Sequence, residues 1–152
     1  MNKSSIKKIQ EQADFHAKSL VTLVRTVESK YGEEGKNALK EMWLEEICRK
    51  PWKKIGESVK NNDIQTLTKL VEEKCSGTHE FKRIMNKPNK VAYKFTKCRW
   101  ADIFKKLGAT DIGKWFCDSD PIYVKAFNPN IKFKRTKTLM NGDKYCDHVF
   151  YA

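Results

Sequence analysis

The chain has 152 residues, 39% of them hydrophobic and 11% aromatic, with 31 basic against 19 acidic side chains and a net charge of +12. That apolar content excludes a disordered polymer, and the length suits one domain, 1–152, with a single core. No apolar run approaches the roughly 20 residues that span a bilayer, and no charged, then apolar leader opens the chain, so a cytoplasmic protein with no membrane partner is expected.

Residues 5–31 place Ile6, Ile9, Ala13, His16, Leu20, Leu23 and Val27 at alternating steps of three and four, which predicts an amphipathic helix with His16 on its packed stripe. Gly32 and Gly35 mark a break, and a second helix follows to Arg49 with Ala38, Leu39, Met42, Trp43 and Ile47 inward. Pro51 suits the first turn of a third. Asn62 or Asp63 can cap a fourth, carrying Ile64, Leu67, Val71 and Cys75 and closed by Ser76-Gly77. Cys48 and Cys75 fall among apolar neighbours on these helices and read as small hydrophobes without chemistry.

The period changes after Gly77. Residues 78–86 and 90–95 form a predicted hairpin across Asn86-Lys87-Pro88-Asn89, with Val91, Tyr93 and Phe95 alternating against polar positions. Residues 98–107 return to helical spacing and stop at Gly108. A short segment 110–116 comes next, and then Asp120-Pro121 reads as the cap and first turn of a new helix to Phe127. Residues 131–140 and 144–151 are predicted as a second hairpin closed by a two-residue Asn141-Gly142 turn. In that register Phe133 faces Phe150, Lys134 faces Val149, Arg135 faces His148, Thr136 faces Asp147 and Lys137 faces Cys146. The expected fold is therefore α+β: an N-terminal helical half, 1–77, packed on an antiparallel sheet built from hairpins in a β-rich half, 78–152, with short helices between the hairpins.

The chemistry concentrates in that second half, which holds Cys98, Cys117 and Cys146 of the five cysteines. An odd number of widely spaced cysteines points to reduced thiols. Arg135 and Lys137, on the same ribbon face as Cys146 and His148, would favour the Cys146 thiolate and make it a candidate nucleophile, while the same cations could hold a substrate carboxylate. Asp120 reads either as a helix cap or as a general base for water, and Asp143 as a turn residue. Structural zinc sites favour ligand pairs two to four residues apart; no such pair of cysteines exists, and no metal is assigned, although separated thiols with His148 could assemble one. Phosphate-binding and nucleotide-binding motifs are absent, so no cofactor is expected. Only five of the basic residues are arginine and the lysines are dispersed, which argues against nucleic acid as the partner and for a solvated, lysine-rich face; the expected partner is a small anionic molecule held by the cations near Cys146. Oligomeric state is not encoded in any feature.

The run Cys98-Arg99-Trp100-Ala101-Asp102-Ile103-Phe104, then Gly108, Cys117-Asp118-Ser119-Asp120, Arg135-Thr136-Lys137-Thr138-Leu139 and Gly142-Asp143 with Cys146-Asp147-His148-Val149-Phe150, resembles the signature of the L-2-amino-thiazoline-4-carboxylic acid hydrolase-like family. The resemblance is strong over residues 78–152. It implies a small bacterial α+β protein that opens a cyclic amidine, a carboxylate-bearing thiazoline, to a carbamoyl-cysteine. Its matched positions are Cys98, Asp102, Cys117, Asp120, Thr138, Gly142, Asp143 and Cys146. On this reading Cys146, Asp120 and Asp143 carry the catalysis, and Arg135, Thr138, His148, Cys117 and Cys98 bind substrate. The alternative is a small-molecule-sensing module that binds its ligand without converting it.

Overall fold

The computed structural model describes residues 2–152. Helix α1 covers Lys3–Trp43, with Asn2 Oδ1 capping Ser5 N–H at 2.8 Å and a break at Gly32, whose φ of 65° is open to glycine at little cost. A π-helical turn, Leu44–Arg49, leads without interruption into α2, Lys50–Ser58. Asp63 caps α3, Ile64–Cys75, by accepting from Thr66 N–H at 2.8 Å, and Gly77 turns the chain into the sheet with φ 82°. Strands β1, His79–Lys87, and β2, Lys90–Cys98, form the first hairpin. Helices α4, Arg99–Lys106, and α5, Thr110–Phe127, separate it from β3, Lys132–Lys134, and β4, Cys146–Tyr151. The sheet is antiparallel in the order β1-β2-β4-β3, so the architecture is α+β with the helices packed on a hairpin-built sheet.

Two apolar clusters form the interior. Trp52, Leu67, Val71, Tyr93, Phe127 and Phe150 join α2, α3 and the sheet, whereas Ala13, Ala17, Val24, Phe104, Ile112 and Trp115 join α1 to α4 and α5. Helix α5 contributes to both, its N-terminal half to the second and its C-terminal half to the first. The polar stretch Cys117–Asp120 lies on α5 between them.

Three expectations are corrected. The buried stripe of α1 is Ala13, Ala17 and Val24, while His16 and Leu23 face solvent. Two small side chains let the helix approach α4 closely, and that close contact outweighs the larger Leu23. Beyond Gly32 the stripe is likewise displaced: Leu44 and Cys48 are buried, and Ala38, Met42 and Ile47 are exposed. Second, residues 110–127 are one helix with Pro121 inside it, so Asp120 is not a cap. Third, Lys132–Lys134 pairs in the expected register, Phe133 with Phe150 and Lys134 with Val149, but the chain then leaves the ladder. In place of a two-residue turn it forms a 3-10 turn at Leu139–Asn141, and Gly142 alone takes the positive φ, 96°. Thr138 organises this loop: its carbonyl accepts from Asn141 N–H at 3.0 Å and Asp143 N–H at 3.2 Å, and its hydroxyl accepts from Met140 N–H at 3.2 Å.

Candidate functional site

Pro121 has no N–H to give the carbonyl of Cys117 one turn back, so the middle of α5 exposes an acceptor that an ordinary helix would satisfy internally. Arg135, the first residue past β3, supplies the donor: its Nη2 lies 3.2 Å from the Cys117 carbonyl oxygen, and its Nη1 donates to Asp120 Oδ2. Both side chains of the pair are about 15% exposed. Asp120 also lies 3.9 Å from Nε2 of His148, which reaches in from β4.

These groups open onto a cavity of about 260 Å³ at the seam between the two apolar clusters. Its lining includes Asp120, Arg135 and His148, the rings of Trp52, Phe95, Trp100, Phe116 and Tyr123, and all five thiols: Cys48, Cys75, Cys98, Cys117 and Cys146. Cys117 and Asp120 are three residues apart on α5 and so share a face, as do Asp120 and Tyr123. The fold therefore brings Cys98, Cys117, Asp120, Arg135, Cys146 and His148 to one cavity. Cys48 and Cys75, read above as packing residues, stand in the same wall, as do Lys74 and His79. Nothing in the local pattern marks these four additions, because they arrive from three separate elements: Cys48 from the π-helical turn, Lys74 and Cys75 from α3, and His79 from β1.

Burial sets the protonation states. It pushes Asp120 up to about 7, with Arg135 pulling the other way and Asp118 adding to the rise. Burial, helped by the charge of Arg135, drives His148 down to about 3, and burial drives His79 down to about 4. Both imidazoles are thus neutral at pH 7. Nδ1 of His148 is buried and has no hydrogen-bond partner among the described residues. Burial also raises every thiol, Cys75 and Cys98 to about 12. The expectation of a lowered Cys146 pKa is overturned: its sulfur accepts from Leu139 N–H at 3.2 Å, but the loss of solvent dominates. Lys137 does not reach that thiol; its Nζ lies 3.0 Å from the Tyr145 hydroxyl at the exposed surface.

Thr138 and Asp143 do not line the cavity. Asp143 Oδ2 accepts from Thr138 N–H at 2.8 Å, which holds the loop, and the Thr138 hydroxyl is 3.5 Å from Cys117 Sγ. Asp147 accepts from the backbone N–H groups of Thr136 and Lys137 at 2.8 and 2.6 Å, pinning the same segment from the other side. Asp118 pairs with Lys40 at 2.6 Å on the outer face of α5. Among the described residues no three His, Cys, Asp or Glu side chains come together as metal ligands. No helix among them is long and apolar enough to cross a membrane.

The family model described as L-2-amino-thiazoline-4-carboxylic acid hydrolase matches residues 12–150, which takes in the helical half as well as the β-rich half. No curated protein matches the chain significantly.

Proposed function

The chain belongs to the L-2-amino-thiazoline-4-carboxylic acid hydrolase family, and from that premise we propose that its cavity hydrolyses a small, carboxylate-bearing cyclic amidine to a carbamoyl-cysteine-type product. The observation that carries this reading is the buried Asp120 carboxylate, clamped by Arg135 and beside a neutral His148, on the wall of a small aromatic-lined cavity. At about 260 Å³ the cavity is slightly below the roughly 300–1,000 Å³ of drug-sized sites, which suits a single small ring.

Asp120 is the general base. With its pKa pushed to about 7 it is both ionised in part and basic enough to take a proton from water near neutral pH. The water oxygen bonds to the amidine carbon, and the proton held by Asp120 passes to the ring nitrogen. The resulting tetrahedral centre collapses: its hydroxyl becomes the new carbonyl, the bond from that carbon to a ring heteroatom breaks, and the hydroxyl proton moves through Asp120 to the departing atom. Both protons of the water end on the product, and Asp120 is regenerated. Arg135 holds the carboxylate of Asp120 in one orientation and blocks its rotation. His148, neutral and with Nε2 3.9 Å from Asp120, faces the amidine end of the substrate, and its Nδ1 is the ring nitrogen still without a partner. Cys146 is the runner-up as attacking group, but a thiol kept neutral by burial is a poor nucleophile, so water is preferred. Asp143 acts by fixing the loop that carries Thr138 and Cys146.

The test uses the purified chain with a panel of carboxylate-bearing cyclic amidines, following loss of ring absorbance together with binding. Asp120→Asn lowers kcat by about 10²–10⁴-fold with binding retained, whereas Cys146→Ala keeps kcat within about threefold. A ligand that binds and is never converted would identify the cavity as a sensing module; full activity in Asp120→Asn would remove Asp120 as the base.

A further inference from the structure

An anionic substrate needs a counter-ion, and the obvious one inside the cavity is already engaged. Arg135 donates to the Asp120 carboxylate and the Cys117 carbonyl, so its guanidinium is already turned to protein acceptors. The buried histidines and thiols of the wall are uncharged at neutral pH. The other cation on the wall is Lys74, in the last turn of α3. Among the described residues no carboxylate lies within ion-pair distance of it; its Nζ sits 5.4 Å over the ring of Trp52.

Trp52 in turn stacks on Tyr123, with ring centroids 4.7 Å apart and planes at 25°. Tyr123 is one turn beyond Asp120 on the same face of α5. The wall therefore runs from an exposed cation, along two stacked rings, to the buried carboxylate and the unpartnered Nδ1 of His148.

We propose that Lys74 is the specificity residue of this site: it anchors the substrate carboxylate at the mouth while the flat ring lies along Trp52 and Tyr123 and the amidine end reaches Asp120 and His148. The inference rests on the hydrolase reading above for the identity of the ligand. It deepens that reading by defining the accepted class as small flat rings with an anion at one end and an N–H donor at the other.

The experiment compares the unmodified protein with Lys74→Met, which keeps the aliphatic stem over Trp52, and with Lys74→Arg, which restores the charge. The two probes are 2-amino-thiazoline-4-carboxylate and its 4-carboxamide. Lys74→Met is expected to raise KM for the carboxylate about fivefold, as befits a partly solvated ion pair, with kcat unchanged and the carboxamide unaffected. Lys74→Arg restores the carboxylate preference. An unchanged ratio of carboxylate to carboxamide in Lys74→Met overturns the assignment. Tryptophan fluorescence titration with both probes reads binding separately from turnover. A carboxylate preference that is lost in Lys74→Met, with no conversion of either compound, supports the Lys74 anchor and sinks only the hydrolase reading. Binding of neither probe overturns both.

Discussion

The protonation states of the cavity make a prediction about stability that needs no substrate. The perturbation is a change of pH from about 6 to 5, where an unfolded histidine, with a pKa of about 6.5, is already mostly protonated. In the folded protein His148 and His79 stay neutral, because burial holds them near 3 and 4. The unfolded state therefore binds two more protons at these positions, and acid destabilises. Asp120 works in the opposite sense. Its folded pKa of about 7 lies above its unfolded value, so the native state holds a proton there that the unfolded state has released, and its contribution fades as pH rises towards 7. The carboxylates with lowered values, Asp111 at about 2 among them, are ionised in both states across this window. The net difference is one proton, so unfolding free energy falls by about 1.4 kcal/mol per pH unit on acidification. Asp120→Asn removes the opposing proton, and the slope doubles to about 2.7 kcal/mol per unit, whatever the variant's absolute stability. Urea unfolding at closely spaced pH values, with tryptophan fluorescence as the probe, gives both slopes directly. Equal slopes for the two proteins would refute the raised Asp120 value, and a flat profile in the unmodified protein would refute the neutral histidines.

Two further substitutions test the packing that builds the site. A Cβ at Gly56 would lie 2.2 Å from the Phe127 carbonyl oxygen, so Gly56→Ala forces α2 away from α5 and destabilises by about 1–3 kcal/mol despite alanine's better helix propensity; an unchanged urea midpoint would contradict that contact. Arg135→Met leaves both the Asp120 carboxyl and the Cys117 carbonyl without their donor; Asp120 then takes up a proton, so the cost is that of unsatisfied buried groups, about 1–3 kcal/mol by urea unfolding, and adding Asp120→Asn recovers part of it. Additive losses in the double variant would mean the two side chains do not act as a pair.

The elements were legible where their signals are local. Asp63 caps α3, Gly32 and Gly108 break or end helices with φ of 65° and 62°, and the alternation of Val91, Tyr93 and Phe95 marks a strand whose inward face is buried. Which stripe of a long helix packs is a different kind of fact. His16 and Leu23 lie on a respectable apolar stripe, yet Ala13, Ala17 and Val24 define an overlapping one, and only the shape of the surface presented by α4 chooses between them. The same limit applies to the thiols. Cys48 and Cys75 look like packing residues in their own helices, and they reach the cavity because α5 passes between two apolar clusters and leaves a seam there.

Asp120 shows why a site can defeat local reasoning. Proline inside a helix costs about 3 kcal/mol or more, in part because it strands the carbonyl one turn back, so Asp120-Pro121 is most economically read as a helix start. The cost is offset here by a residue fifteen positions later: Arg135 caps the stranded Cys117 carbonyl and pairs with Asp120 in one gesture of its guanidinium. That arrangement also explains the failed hairpin. Had the ladder continued past Lys134 to a two-residue turn, the segment from Thr136 to Thr138 would be committed to strand pairing; instead it is held by Asp147 and Asp143 side chains, and the Leu139 N–H is given to Cys146. A helix that carries Pro121 in its interior and a hairpin abandoned at Arg135 are thus one structural event, and the carboxylate proposed as the base sits where the two departures meet.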